Sequence, residues 1–322
     1  MFESKKPFLY KSNTGNPAAC WGTNTFNTFM LQMIKKRLGA LKNRQDFKKN
    51  PLMALWKRLV WHARWKCLSH PWTLTHKDGS KISAPRGGAG ALIYYQGESE
   101  PKTNRFLKSF LKSGMIFWDI GAHIGEHTLL SAKAVGMEGE VHAFEPSPEI
   151  FSILKSNVHL NQLDNVFLNL LAVSDTSKET IFEVFDEPAI SRLMHKNPSK
   201  NATKRISVQC VSLDQYRKGK RQPNLIKIDV EGAELEALKG MVNLLALNSE
   251  IAPTLILEYV QTNSQNFSYQ STALITFLSN FGFNFYWLSD NTLMPLDLKD
   301  SIFQFPENNL IASKSNPCLY LD

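Results

Sequence analysis

Apolar and polar positions along the chain fall into two regimes. From Lys102 onward, short apolar runs alternate with amphipathic stretches of about a dozen residues, the pattern of strands separated by helices. It predicts a helix around Asn104 to Leu111, strand Met115 to Ile120, helix Glu126 to Val135, strand Glu140 to Phe144, helix Pro148 to Leu160 and strand Val166 to Val173. Strand Leu225 to Val230, helix Glu234 to Leu247 and strand Thr254 to Tyr259 continue the alternation. Thr180 to Phe185 and Arg205 to Val211 read as strands around a polar segment, Asp186 to Lys204, which is either a lid over a site or a surface insertion. In the tail, Leu274 to Ala312, one helix precedes the aromatic run Phe281, Phe283, Phe285, Tyr286 and Trp287, taken as a closing core strand. Apolar strands joined by helices pair in parallel through right-handed crossovers, so the expected fold is α/β, a doubly wound sheet with helices on both faces.

Before Lys102 the pattern differs. Phe29, Met33 and Ile34, then Leu52, Leu55, Trp56, Leu59 and Ala63 after Asn50-Pro51, recur at helical spacing. Trp72 to Pro85 reads as a hairpin turning at Asp78-Gly79, followed by a glycine-rich stretch, Arg86 to Gly90. Residues 1–80 are therefore expected to form a helical extension reaching into the hairpin, and residues 81–322 the main domain.

Charge sharpens that division. The net charge is +8 over 322 residues, but residues 1–80 carry 15 Lys and Arg against 3 Asp and Glu, while the remainder is slightly acidic. Basic amphipathic helices either lie on an anionic membrane surface, with residues 29–66 as a peripheral contact and Trp61 and Trp65 at the boundary, or pack on the main domain with their lysines in water. No hydrophobic run exceeds five residues, the length of Ala91 to Tyr95, against about 20 for a membrane span. With no apolar leader and four scattered cysteines (Cys20, Cys67, Cys210, Cys318), the expectation is a cytoplasmic, reduced, zinc-free protein. Cys210 reads as a small core residue.

The chemistry concentrates where the first strand meets its helix, Trp118-Asp119-Ile120-Gly121-Ala122-His123-Ile124-Gly125. Glycines let the backbone turn tightly, and the helix start offers free N–H groups. A dinucleotide turn reads GxGxxG; this one reads DxGxxxG, and Asp119 would repel a pyrophosphate but attract an ammonium. That points to an amino-acid-bearing nucleotide such as S-adenosylmethionine. Glu145 ends the second strand, 24 residues after Gly121, where a carboxylate can accept from both ribose hydroxyls. Asp229 and Glu231 end the fourth strand beside the same crevice, where an acid can orient or deprotonate an acceptor hydroxyl, and Glu258 ends the next. Otherwise Asp229 holds backbone N–H groups and Glu234 favours a helix start. The spacing demands no metal on Asp229, Glu231 and Glu258.

The string IGAHIGEHTLLSAKAVGMEGEVHAFEPSPEIFSILKSNVHLNQLDNV, followed by LAVSD, VSLDQY and IKIDVEGAELEALKG, closely resembles the FkbM-type S-adenosylmethionine-dependent methyltransferases, from about Gly97 to Tyr259. The resemblance implies a seven-stranded class I methyltransferase fold and methyl transfer, usually to oxygen, on sugars, glycolipids or secondary metabolites. It implies that Asp119, Gly121, Ala122, His123 and Gly125 cradle the methionine part, Glu145 the ribose, and the segment at Ala172 and Val173 the adenine, with Asp229 and Glu231 on the acceptor side. His123 stands where the family usually has asparagine, and Glu100 fits a family acid that faces the cleft or starts a helix. An RNA methyltransferase is the second reading, and a silent membrane-surface or scaffold protein the third. Nucleic acid is disfavoured because DVEG lacks the (N/D)PP(Y/F) pattern and no paired catalytic cysteines occur. The expected partners are a small-molecule, glycan or glycolipid acceptor; oligomeric state is not legible.

Overall fold

The computed structural model describes residues 44–76, 78–186, 190–194, 198–289, 292–298 and 308–317. The expected helix around Phe29 to Ile34, and Cys20 and Cys318, lie outside them. The chain divides into two compact units between Trp56 and Lys57. In the first, α1 (Gln45–Lys49) precedes the start of α2 (Pro51–Cys67). There Asn50 Oδ1 accepts from Met53 N at 3.0 Å and Pro51 supplies a fixed φ, a capped helix start.

The second unit is α/β. Hairpin β1 (Trp72–Thr75) and β2 (Lys81–Ala84) leads through α3 (Gly88–Gln96) and α4 (Pro101–Phe110) to β3 (Ile116–Ile120), α5 (Glu126–Val135), β4 (Glu140–Phe144), α6 (Pro148–Leu160) and β5 (Val166–Asn169). Next come β6 (Ala172–Val173), β7 (Glu179–Val184), β8 (Arg192–Leu193), β9 (Lys204–Val211), α7 (Leu213–Tyr216), β10 (Leu225–Ile228), α8 (Glu234–Lys239) and α9 (Val242–Leu245). The chain closes with β11 (Thr254–Glu258), α10 (Gln261–Asn266), α11 (Thr272–Ser279), β12 (Asn284–Leu288), β13 (Leu293–Pro295) and β14 (Asn309–Ser313).

The main sheet runs β13-β12-β14-β11-β10-β3-β4-β5. Strands β5 to β11 in that order pair in parallel, and β14 enters antiparallel between β11 and β12. These are the seven expected strands, with the three-residue β13 added at the edge. Every residue of β3 and β10 is buried, as central parallel strands require. Alternation assigns the two faces: Trp118, Ile120, Ile226 and Ile228 pack with residues of α8, α9 and α11, whereas Phe117, Val141 and Leu225 pack with α4 and α5. Helices thus cover both faces, and the doubly wound expectation holds.

The glycine-rich stretch runs into the start of α3, and a Cβ at Gly90 would lie 2.4 Å from the Pro85 carbonyl oxygen, so glycine admits the close approach. Two local expectations are corrected. The single strand Val166 to Val173 is two: β5 pairs with β4, but β6 leaves to join β9 in a second sheet, β6-β9-β7-β8. The helix Glu234 to Leu247 breaks at Gly240-Met241, where the Asp214 carboxylate takes the N–H groups of Asn243 and Leu244 at 2.9 and 3.1 Å and caps a fresh start. The one helix expected in the tail is α11, directly before the aromatic strand β12, while α10 lies ahead of the tail.

Trp61 is 2% exposed; its ring stacks on Trp72 and Tyr94 and its Nε1 donates to the Arg86 carbonyl at 3.2 Å. Cys210 is buried in its strand, which pushes its thiol up to about 11 and leaves it inert. Among the described residues no helix is long and apolar enough to cross a membrane.

Candidate functional site

In parallel register, Ile120 pairs with Phe144 and with Ile228, and Ile228 with Leu257, so β3, β4, β10 and β11 end side by side. A cavity of about 310 Å³ opens there, within the size range of small-ligand pockets. Its wall brings together Gly121, Ala122, His123, Glu145, Ala172, Val173, Asp229 and Glu231. Of the expected site residues, Asp119 and Gly125 stand behind the wall instead.

The glycine turn is built around one carbonyl. Gly121 N and Ala122 N both donate to Phe144 O, at 3.0 and 2.9 Å. Gly121 has φ +83° and lies so near β10 that a Cβ would sit 1.8 Å from the Asp229 carbonyl oxygen. His123 also takes positive φ, +50°, and its backbone N donates to Glu145 Oε2 at 3.1 Å. Burial pushes the His123 imidazole down to about 4 against the opposing pull of Asp229, so it is neutral near pH 7. Gly125 serves packing: a Cβ there would strike Leu154 Cδ1 at 2.5 Å.

Asp119 is wholly buried, and its Oδ2 accepts from Thr128 Oγ1 at 2.6 Å, anchoring the first turn of α5. Glu100, at the start of α4, reaches the cavity beside the turn, as does Glu126. Thr103 Oγ1 and Asn309 Nδ2 donate to its Oε2 at 3.0 and 2.8 Å. Burial would raise the Glu100 carboxyl, but the charges of Lys227 and His127, with these two hydrogen bonds, hold it down to about 2. Glu100 thus faces the cavity and stands at a helix start.

Glu145 is buried, and each of its oxygens takes one backbone N–H, Oε2 from His123 and Oε1 from Ser147 at 2.8 Å. Each oxygen keeps a second lone pair. Burial raises the carboxyl to about 7, against those two hydrogen bonds. Ile120, Phe144, Leu171, Ala172 and Val173 line an apolar stretch of the same wall.

Opposite lies the acidic end. Lys227, 2% exposed in the centre of the sheet, donates from Nζ to Asp229 Oδ2 at 2.6 Å. Burial would lower this ammonium, yet the charges of Asp229, Glu100 and Asp119 outweigh it and raise it. Glu231 sits at φ +55°, a left-handed conformation uncommon for a non-glycine and concentrated at functional sites. Asn263 Nδ2 on α10 donates to Glu231 Oε2 at 2.9 Å and to Glu258 Oε2 at 3.1 Å. Gly232 permits this approach, since a Cβ there would lie 2.3 Å from the Asn263 carbonyl oxygen. The carboxylate that receives the turn's N–H groups is Glu234, from Val230 and Gly232 at 3.1 Å each, not Asp229. Oxygens of Asp229, Glu231 and Glu258 lie within 4.8 Å of one another, a spacing that could hold a metal ion.

The segment Asp186 to Lys204 contributes a wall of the cavity. Its β8 pairs with β7, Phe182 opposite Leu193, and Phe182, Ser191 and Leu193 line the cavity. Lys227 and Asn263 are the residues sequence reasoning missed. A lysine inside the apolar run Leu225 to Ile228 is a readable signal of a buried charge network; Asn263 has none, because its role depends on where α10 docks.

A model of the Methyltransferase FkbM domain matches residues 119–285. The chain is 33% identical over 145 residues, 44% of its length, to the hexuronic acid methyltransferase AglP of Haloferax volcanii, and that match spans 56% of the relative. Among solved structures it is similar to a precorrin-6y C5,15-methyltransferase from Geobacter metallireducens (14% identity, TM-score 0.39, 67% of this chain and 86% of that one). It is also similar to an S-adenosylmethionine-dependent O-methyltransferase from Thermotoga maritima (15% identity, TM-score 0.38, 76% and 78%).

Proposed function

Because the chain belongs to the FkbM methyltransferase domain family, we propose that it transfers the methyl group of S-adenosylmethionine to a hydroxyl of a sugar, free or in a glycan or glycolipid. The observation that carries the reading is Glu145, a buried carboxylate at the end of β4 with one acceptor lone pair left on each oxygen and an apolar slot beside it.

The residues present fit that cofactor. Glu145 would accept from both ribose hydroxyls, and the slot of Ile120, Phe144 and Leu171 to Val173 would take the adenine. The turn at Gly121, Ala122 and His123 would receive the methionine part, and Glu100, held ionised, would meet its ammonium in place of Asp119. The cofactor, when bound, supplies an activated methyl group. The chain's own task is to align a hydroxyl with it and to accept a proton, at the end where Asp229, Glu231 and Glu258 gather. Phe182 and Leu193 would exclude water from that end. A sugar acceptor is favoured by the likeness to a hexuronic acid methyltransferase.

The test is incubation of the purified chain with methyl-labelled S-adenosylmethionine and a lysate of its own host, separated into small molecules, lipids, glycans, protein and RNA, with a Glu145→Ala control. The reading expects label in a sugar-containing fraction that survives mild alkali, as a methyl ether does and a methyl ester does not. Label in RNA, or label released by alkali, would overturn the acceptor.

A further inference from the structure

Helix α2 turns cations towards the body and an apolar stripe away from it. Within the second unit, its Trp61 is buried against Trp72, Tyr94 and Tyr95. Lys57 Nζ donates to the Tyr95 carbonyl at 3.0 Å, and the Arg58 guanidinium lies 4.4 Å from the centre of the Tyr95 ring. The apolar residues point elsewhere: Leu59 is 64% exposed, and Ala63 is exposed too. By helical register Leu52, Leu55 and Trp56, earlier in the same helix, continue that line, and the five fall within an arc of about 100°. Leu52 and Trp56 are 80% and 61% exposed. The arrangement reverses the sequence expectation of apolar positions on the main domain and lysines in water. A contiguous exposed apolar stripe marks an interaction surface.

Charge identifies the partner. Residues 45–67 carry six Lys and Arg against a single acid, Asp46, and α2 itself has no acid. Lys66 falls at the edge of the stripe by helical register, and Lys48 and Lys49 of α1 are exposed in the first unit. An anionic lipid surface supplies hydrocarbon for the stripe and negative headgroups for the lysines together. Trp56, rather than the buried Trp61, is the tryptophan placed for the membrane–water boundary.

We propose that α2 lies in the interface of an anionic bilayer with Leu52, Leu55, Trp56, Leu59 and Ala63 inserted, and that this docking brings the cavity to a sugar carried on a lipid. Helix α3 touches both: Tyr94 and Tyr95 pack on Trp61, while Gly88, Ala89 and Leu92 line the cavity. The docked helix therefore lies one helix-packing distance, about 8–10 Å, from an element of the cavity wall. The acceptor half of the proposal rests on the methyltransferase reading; the docking half stands without it.

Sedimentation of the full chain with vesicles of phosphatidylglycerol and phosphatidylcholine, against phosphatidylcholine alone, tests the docking without an acceptor. The wild type should bind the anionic vesicles about tenfold or more tightly than the neutral ones, and lose that preference as salt is raised. Leu59→Asp should weaken binding by about tenfold or more, whereas Met137→Asp, which alters an exposed apolar residue between α5 and β4, should not. Brominated acyl chains should quench tryptophan emission of the wild type but not of Trp56→Phe, a readout that stands if Leu59→Asp does not fold. Wild-type binding by Leu59→Asp, or quenching unchanged in Trp56→Phe, would overturn the proposal. So would a wild type that ignores anionic vesicles, which would assign the stripe to residues 1–43 or, if Leu59→Asp converts a dimer to a monomer, to a second copy. Binding of S-adenosylhomocysteine without vesicles decides the methyltransferase reading separately, and its absence would leave the docking to the vesicle result. With both in place, methyl label should enter the lipid fraction of host membranes, and Leu59→Asp should lower it by about tenfold while binding S-adenosylhomocysteine as the wild type does. Label confined to free sugars would overturn the lipid-carried acceptor.

Discussion

Gly121 and Gly79 form a matched pair that isolates what the glycine turn does. Both have φ near +80°, but a Cβ at Gly79 meets nothing within 4 Å, whereas one at Gly121 would lie 1.8 Å from the Asp229 carbonyl oxygen. Alanine at either site bears the left-handed backbone cost, about 1–2 kcal/mol. At Gly121 the end of β10 must also retreat by about 1.5 Å to reach ordinary contact, an overpacking that adds about 1–3 kcal/mol. Gly79→Ala should therefore lower Tm by about 4 °C and Gly121→Ala by about 10 °C in scanning calorimetry. The displacement falls on Asp229, whose backbone N donates to Ile120 O at 3.0 Å, so Gly121→Ala should also abolish calorimetric binding of S-adenosylhomocysteine while Gly79→Ala preserves it. Equal losses of Tm, or wild-type binding by Gly121→Ala, would refute the close-approach argument.

Further expectations concern charge and buried hydrogen bonds. Lys227→Met removes the cation facing Asp229, Glu100 and Asp119 and should cost about 3–5 kcal/mol at pH 7, measured by urea unfolding. The loss should shrink towards acid, because the stability from the depressed Glu100 carboxyl is present above its ordinary pKa and disappears as pH falls through about 2. Burial pushes Glu145 up to about 7, and it would accept from ribose hydroxyls best when ionised, so S-adenosylhomocysteine affinity should rise by roughly tenfold from pH 6 to pH 8 and lose that dependence in Glu145→Gln. For the ligand-free chain, the raised carboxyls of Glu231, Glu234 and Glu258 favour folding below their ordinary range and withdraw that stability as pH climbs, so Tm should fall between pH 5 and pH 9 by roughly a few degrees. Asn157, wholly buried, bonds Ser83 N at 2.6 Å and Ile124 O at 2.8 Å, joining hairpin to glycine turn; Asn157→Ala should cost about 1–3 kcal/mol.

The alternation of apolar runs and amphipathic stretches made the layered fold legible, because strands buried on both faces must be continuously apolar and their crossovers must be helical. The boundaries of α5, β4 and α6 follow directly, since each begins or ends at a glycine or proline. The break between β5 and β6 was not legible: Leu168 to Val173 is evenly apolar apart from Asn169, and only the competing partner β9 decides where the chain leaves the first sheet. At the site, Glu145, Asp229 and Glu231 were readable because strand ends in parallel register converge. The inward turn of the Asp119 side chain to Thr128 was not readable from spacing, nor was the reach of Glu100, from a helix earlier in the chain, to the cavity. Lys227 in its apolar run signals a buried charge network, but its partner Glu100, like the amide bridge of Asn263, depends on tertiary placement, which residue spacing does not encode.

The central claim is that the cavity at the ends of β3, β4, β10 and β11 holds a methyl donor through Glu145. Calorimetric titration of the full chain with S-adenosylhomocysteine and with NAD, repeated on Glu145→Ala, tests it most directly. The account predicts saturable one-to-one binding of S-adenosylhomocysteine, weakening of about tenfold or more in the variant, and no competition from NAD. Binding of NAD in preference, or equal binding of S-adenosylhomocysteine by the wild type and Glu145→Ala, would contradict it.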